Sequence, residues 1–123
     1  MALCIIAAGK TVAIATTAFT LSWTHSVEKV RWEEDWQVKP AGLQLVEARI
    51  RGSGAGMEPP PGSVLRDGWW VYVPDLPPQP EISLAASGAT PSPWSLCAEG
   101  RCMTLGAEAG DPVVLRPCDG QER

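Results

Sequence analysis

The sequence predicts an all-β fold, a single compact antiparallel sandwich or barrel-like sheet, and three observations carry that prediction. Apolar and polar residues alternate with a period of two along several stretches, as expected for strands with one buried face. No stretch shows a long amphipathic helical pattern. The 12 prolines and 12 glycines among 123 residues require many turns between short elements, and 45% hydrophobic residues suffice for a core.

The strands can be assigned in chain order. Gly9-Lys10 fits a tight turn between two short strands at 2–8 and 11–16. In 19–26 every second residue is apolar up to His25. Helical spacing also fits 30–38, but its Trp and Val content and the following Pro40 favour a strand. The remaining predicted strands are 43–50, 68–73, 94–97, 102–105 and 112–118.

The Gly- and Pro-rich stretch 51–62 predicts an irregular loop. It lacks the Gly-Lys-Ser/Thr ending and the following helix of a phosphate-binding loop. No internal repeat divides the chain, so we expect one β domain over 1–118 and a polar tail over 119–123.

The net charge and the N-terminal stretch bear on the binding partner and on the cellular location. The net charge of −4 and the pI near 4.9 argue against nucleic acid as a partner. Lys10 interrupts the apolar N-terminal stretch, which therefore fits neither an export signal nor a membrane span. The absence of an export signal favours the cytoplasm, and the periplasm stays open as an alternative.

The residue inventory does not predict an enzyme. His25 is the one imidazole that could act as a base, and no Gly-x-Ser-x-Gly nucleophile motif occurs. Ser26 would point to the opposite side of a strand from His25. We therefore predict no catalytic residues and no cofactor.

The four cysteines, Cys4, Cys97, Cys102 and Cys118, leave three alternatives open. Their number and donor type suit a structural zinc site, although no Cys-x-x-Cys pair is present. They also suit buried thiols, because free cysteine packs as a small apolar residue. Cys97 and Cys102 flank a predicted four-residue hairpin loop, 98–101, so in an oxidising compartment we expect them to form a disulfide.

A candidate site follows from strand alternation. Glu34 lies on an otherwise apolar face, where an unpaired carboxylate would be unfavourable. A hairpin around Glu28-Lys29 would bring the faces of His25 and Glu34 to the same side, where the two side chains can pair. The alternative is a strand-end histidine bonded to backbone and a solvent-facing Glu34. The candidate binding patch comprises His25, Ser26, Glu28, Glu34, Gly54 and Gly56.

Several of these residues carry a family resemblance. The run Trp23-Thr24-His25-Ser26-Val27-Glu28-Lys29, the Glu34 and Trp36 region and the loop from Arg51 to Met57 resemble domain of unknown function family 1850. The Trp69-Trp70 strand and a tail with Trp94, Cys97, Cys102 and Cys118 are similar to its proteobacterial branch. The resemblance covers nearly the whole chain. It implies an association with tripartite ATP-independent periplasmic transporters and no established reaction or ligand.

Two functional hypotheses follow. The chain is a non-catalytic accessory domain that binds a small ligand or a partner such as a transporter component. Alternatively, it is a zinc-stabilised or thiol-dependent domain that uses Cys4, Cys97, Cys102 and Cys118.

Overall fold

The computed structural model describes residues 1–24, 30–51, 60–86 and 93–119. Within these ranges the chain forms eleven β-strands and no helix, which confirms the all-β prediction. The strands are β1 Ala2–Ala7, β2 Lys10–Ala15, β3 Ala18–Thr24, β4 Arg31–Lys39, β5 Gly42–Arg51, β6 Val64–Arg66, β7 Trp69–Tyr72, β8 Ile82–Leu84, β9 Trp94–Ala98, β10 Arg101–Leu105 and β11 Val113–Cys118.

The strands form two antiparallel sheets that pack together as a sandwich. The smaller sheet has the order β2-β1-β11-β8, and the larger has the order β10-β9-β3-β4-β5-β7-β6. The described strands do not close into a barrel, so the sandwich alternative of the prediction is the correct one. The first and last described strands, β1 and β11, are neighbours in the smaller sheet.

The core lies between the sheets and comes from alternate residues of both. In β1, Leu3 and Ile5 point inward, and in β3 Phe19 and Leu21 do so. This is the period-two pattern expected of strands with one packed face. The other fully or nearly buried members of this cluster are Trp36, Val38, Leu43, Leu45, Leu84, Leu96, Ala98, Leu105, Val113 and Leu115.

Three hairpins turn on two residues, of which the second is glycine. These turns are Ala8-Gly9, Asp67-Gly68 and Glu99-Gly100, and all six residues have positive φ angles. Two successive positive φ values match a type I′ turn, whose twist suits the flanking strands. The predicted first turn was therefore one residue late, because Lys10 already belongs to β2. The predicted loop 98–101 was too long, since Ala98 and Arg101 are strand residues.

Two strands were absent from the sequence prediction. β6 and β8 have three residues each and lie at sheet edges. A three-residue segment is too short to show alternation, and Pro80 stands just before β8. The predicted connector 77–80 instead contacts β5: Gln79 and Leu43 exchange two backbone hydrogen bonds of 2.7 and 2.8 Å.

The four cysteines form two disulfides, which does not favour the zinc-site alternative for Cys4, Cys97, Cys102 and Cys118. Cys4 is bonded to Cys118 across β1 and β11. Cys97 is bonded to Cys102 across β9 and β10, the pair that the hairpin spacing predicts. Each cysteine alternates with inward-facing residues of its strand. The two disulfides therefore lie on the opposite outer faces of the sandwich, and their sulfurs cannot converge on one ion.

In the ranges that the structure describes, no helix has the length and apolar character needed to cross a membrane. Residues 120–123 of the predicted polar tail fall outside those ranges.

Candidate functional site

The β3–β4 hairpin places the candidate carboxylate Glu34 on the inner face of the larger sheet. Leu21 lies directly opposite Glu34, and Trp23 lies opposite Trp32. Directly opposed residues of an antiparallel pair share a face. The prediction that these two apolar faces point to the same side is therefore confirmed for Phe19, Leu21 and Trp23 on β3 and for Trp32, Glu34 and Trp36 on β4.

Glu34 is a partly buried carboxylate held by an indole. Its Oε1 accepts a hydrogen bond of 3.1 Å from Nε1 of Trp36, which is a core residue. Burial raises the pKa of Glu34 because it disfavours the charged carboxylate, and the Trp36 hydrogen bond offsets this only in part. A further hydrogen-bond donor or a nearby cation would offset the cost of burying this carboxylate.

Tyr72 reaches the same face from β7. Ala48 on β5 lies opposite Glu34 on one side and opposite Tyr72 on the other, so the three residues form a row across the sheet. Burial and, secondarily, the charge of Glu34 both raise the pKa of Tyr72. The small side chain of Ala48 leaves these two polar groups as neighbours.

Three tryptophans continue this face toward β9. The rings of Trp23 and Trp32 are stacked with centroids 5.9 Å apart, and Trp94 tilts against Trp23 at 4.8 Å. Nε1 of Trp94 donates to the backbone oxygen of Ala85 at 2.9 Å. Nε1 of Trp32, in contrast, is buried and has no acceptor among the described residues. Most buried donors in proteins are paired, so this one requires an explanation.

We call the group formed by Trp32, Glu34, Trp36 and Tyr72 the aromatic–carboxylate patch. Trp36 is fully buried, whereas the other three are only partly buried. It combines an aromatic surface, a carboxylate and an unpaired N–H donor. Chemically, rings can contact apolar or cationic surfaces, and polar groups beside them can fix the orientation of a bound molecule.

The opposite face of the same strands carries an ion-pair network centred on Arg49. Its guanidinium bonds Glu33 at 2.9 Å, Asp35 at 2.8 Å and Glu47 at 2.8 Å. Thr20 adds a hydrogen bond of 2.8 Å to Asp35. The network spans β3, β4 and β5, and Arg49 already has three carboxylate partners. The network therefore stabilises the sheet, and the guanidinium of Arg49 is not free to bind a ligand.

Most of the predicted binding patch belongs to segments that the structure does not describe. His25, Ser26, Glu28, Gly54 and Gly56 lie outside the described residues, so the His25–Glu34 pairing stays a prediction. Of that set, Glu34 is the member that the structure positions, on the partly buried face where alternation put it. In the described ranges, His, Cys, Asp and Glu side chains do not form a group of three or more that could hold a metal ion.

Comparison with known proteins identifies the family. The model of a domain of unknown function (DUF1850) matches residues 19–105, which is more than half of the chain. The chain belongs to this family. No curated protein and no solved structure matches it significantly.

The family match spans β3 to β10, so it includes the whole aromatic–carboxylate patch and the Cys97–Cys102 hairpin. Sequence reasoning placed Glu34 and Trp36 on one face of β4, but it did not include Trp36 in the candidate site, and it missed Tyr72. Alternation on β4 put Trp36 on the same face, and that spacing of two residues was the available signal. Tyr72 had no such signal, because its position depends on the pairing of β5 with β7.

Proposed function

We propose that this chain is a non-catalytic domain that binds a small polar ligand or a partner's polar group through the aromatic–carboxylate patch. The observation that carries the proposal is the buried N–H of Trp32, which has no acceptor among the described residues and lies two residues from a partly buried carboxylate. A buried donor without an acceptor costs about 1–3 kcal/mol. A ligand that supplies an acceptor to Trp32 and a donor or cation to Glu34 removes that cost.

The alternative with functional cysteines has no support in the structure, because all four are in disulfides. The patch, in contrast, has the composition of a recognition site. Its rings offer contact surface, and two polar groups, the N–H of Trp32 and the carboxylate of Glu34, define which ligand fits. Among the described residues, no group in the patch is paired with a base in the manner of an activated nucleophile. Recognition without turnover is the function that this chemistry supports.

The experiment compares two tryptophans of the same stack, Trp32 and Trp94. Trp32→Phe and Trp94→Phe make the same change of ring, but only the second removes a hydrogen bond present in the ligand-free protein. We expect Trp94→Phe to lower the free energy of unfolding by about 1 kcal/mol more than Trp32→Phe does. Urea denaturation followed by circular dichroism measures both.

Binding is then measured directly. Wild-type protein is screened by thermal shift against amino acids, quaternary amines, monosaccharides and dicarboxylates, and hits are titrated by calorimetry. We expect Trp32→Phe and Glu34→Gln to weaken binding of the hit, and Trp94→Phe to leave it unchanged. A panel without hits, or a hit whose affinity both patch variants retain, contradicts the proposal.

The family resemblance adds a finer proposal, that the partner is a component of a tripartite ATP-independent periplasmic transporter. Its support is the family identity alone. The test titrates this chain with the purified solute-binding component from the same genome and follows tryptophan fluorescence. Saturable binding that Glu34→Gln weakens supports a transporter link, and the absence of any complex removes it while leaving the small-ligand proposal in place.

A further inference from the structure

The four sheet edges of the sandwich differ in how well they are protected. In the described part of the chain, β6 and β8 are edge strands of only three residues. β10 is longer, but it begins with an exposed arginine, and the Cys102 disulfide ties it to β9. Short length, charge and covalent constraint are devices that keep an edge strand from pairing with another chain.

β2 has almost none of these devices. It is six residues long, Lys10–Ala15, and pairs with β1 on one side alone among the described strands. Its single charge is Lys10 at one end, and it contains neither proline nor glycine. Val12 is 49% exposed, and Ala13 and Ala15 are exposed as well. Half of its backbone N–H and C=O groups point away from β1 toward an open edge.

The described residues also leave a space beside β2. β10, the edge of the facing sheet, lies on the same side of the sandwich, and a cavity of about 600 Å³ lies between the two edges. Its lining includes Ile14, Leu96, Ala98 and Met103. Both sheets therefore end on this side of the sandwich, and apolar side chains line the opening between their edge strands.

We propose that β2 pairs with β2 of a second copy of this chain, so that two smaller sheets join into one eight-stranded sheet across a two-fold axis. Val12 and Ile14 lie opposite Ile5 and Leu3, which are core residues, so both belong to the inner face of the strand. Two-fold pairing of antiparallel strands keeps inner residues opposite inner residues.

The sequence of β2 is self-complementary in one such register. Pairing centred on Ala13 puts Val12 opposite Ile14 of the second copy, Thr11 opposite Ala15, and Ala13 opposite Ala13. Lys10 then falls at the end of the paired stretch, opposite Thr16, and the two lysines do not face each other. Apolar residues meet apolar residues without a like-charge contact, which favours a second copy over an unrelated strand. The dimer also covers the open side of the cavity.

The test uses charge at the centre of the pairing. Ala13 is exposed in the single chain, so Ala13→Lys and Ala13→Glu leave its fold intact, but either substitution puts like charges directly opposite in the dimer. We expect wild-type protein to have twice the chain mass of 13.1 kDa by light scattering, and each variant alone to have the mass of one chain. An equimolar mixture of the two variants restores the dimer.

The matched control is Val64→Lys on the edge strand β6, where valine is 59% exposed. This variant remains dimeric if β2 is the interface. A wild-type mass of one chain over a concentration series overturns the proposal. So does a dimer that survives Ala13→Lys, or a mixture of the two charge variants that stays monomeric. Circular dichroism of each variant verifies that it has folded.

Discussion

Glu34 and Asp35 are adjacent in the sequence, yet their carboxylates have opposite environments. Glu34 faces the inner side, where burial raises its pKa and one indole N–H is its hydrogen-bond donor. Asp35 faces the outer side. Burial alone would raise the pKa of Asp35, but hydrogen bonds from Arg49 and Thr20 and the charge of Arg49 outweigh it and lower the pKa. Strand alternation thus produces two carboxylates with opposite effects on stability.

The first prediction concerns Glu34→Gln. A carboxyl group whose pKa is raised on folding contributes stability below its ordinary pKa of 4.5, and that contribution is lost as the pH rises through the folded-state pKa. The buried charge of Glu34 therefore lowers the stability of wild-type protein at neutral pH, and the glutamine variant carries no such charge. We expect the free energy of unfolding of Glu34→Gln, relative to wild type, to be higher at neutral pH than near pH 4 in urea titrations. An equal difference at both pH values contradicts the burial of this charge.

Asp35→Asn is expected to show the reverse dependence. A carboxyl group whose pKa is lowered on folding contributes stability above its ordinary value of 3.8, and this is lost as the pH falls through the folded-state pKa. The variant should therefore be less stable than wild type at neutral pH, and the difference should shrink on acidification. Chemical denaturation over a pH series measures it, and a difference that grows toward low pH is the contrary result.

Arg49→Met tests the network as a whole. The substitution keeps much of the side-chain length but leaves Glu33, Asp35 and Glu47 without their shared cation. We expect a loss of about 2 kcal/mol in the free energy of unfolding. The control is Arg31→Met, whose side chain is more exposed and forms one ion pair, at 3.4 Å, and one hydrogen bond, of 2.9 Å to Oγ of Ser22. We expect this variant to lose about 1 kcal/mol, because an exposed ion pair adds little to a single hydrogen bond. Equal losses for the two variants would mean that the network adds nothing beyond single pairs.

At the scale of elements, the sequence predicted what local patterns encode. β3 and β4 alternate over seven and nine residues, and their faces were assigned correctly. β6 and β8 were missed because three residues cannot show a period. Ala48 and Tyr72 become neighbours of Glu34 through the pairing of β5 with β4 and with β7. The pairing of β5 with β7 joins residues far apart in the sequence, and a local pattern does not predict it.

The contact between Gln79 and the start of β5 gives a prediction at this scale. Gly42 has φ +139°, and a Cβ added there would lie 2.5 Å from the backbone oxygen of Gln79. Gly42→Ala must therefore strain the backbone. It must also push away Gln79, whose backbone is hydrogen-bonded to that of Leu43. Gly9→Ala is the matched control, because Gly9 also has a positive φ, +77°, but an added Cβ meets no atom within 4 Å.

We expect Gly9→Ala to lower the free energy of unfolding by about 1 kcal/mol, from backbone strain alone. Gly42→Ala should cost at least about 2 kcal/mol more, since strain and a backbone clash add. Thermal and urea unfolding measure both variants. If the two variants lose the same stability, the contact of Gln79 with β5 does not constrain the fold.

For the whole molecule, the two disulfides contribute differently to the free energy of unfolding. Cys4–Cys118 joins residues 114 positions apart and ties the first strand to the last. Cys97–Cys102 joins residues five positions apart in a hairpin that backbone pairing already holds. The entropy that a cross-link removes from the unfolded chain grows with the logarithm of the loop it closes. By that relation the long bridge contributes about 5 kcal/mol and the short one about 2 kcal/mol.

The corresponding double variants separate these contributions. Cys4→Ala with Cys118→Ala is expected to lose about 3 kcal/mol more in the free energy of unfolding than Cys97→Ala with Cys102→Ala. The first pair also removes the buried Cys4 side chain from its packing, which acts in the same direction. Urea denaturation of oxidised wild type and both double variants gives the comparison. If the hairpin variant is the less stable of the two, the native state and not the unfolded chain determines what these bridges contribute.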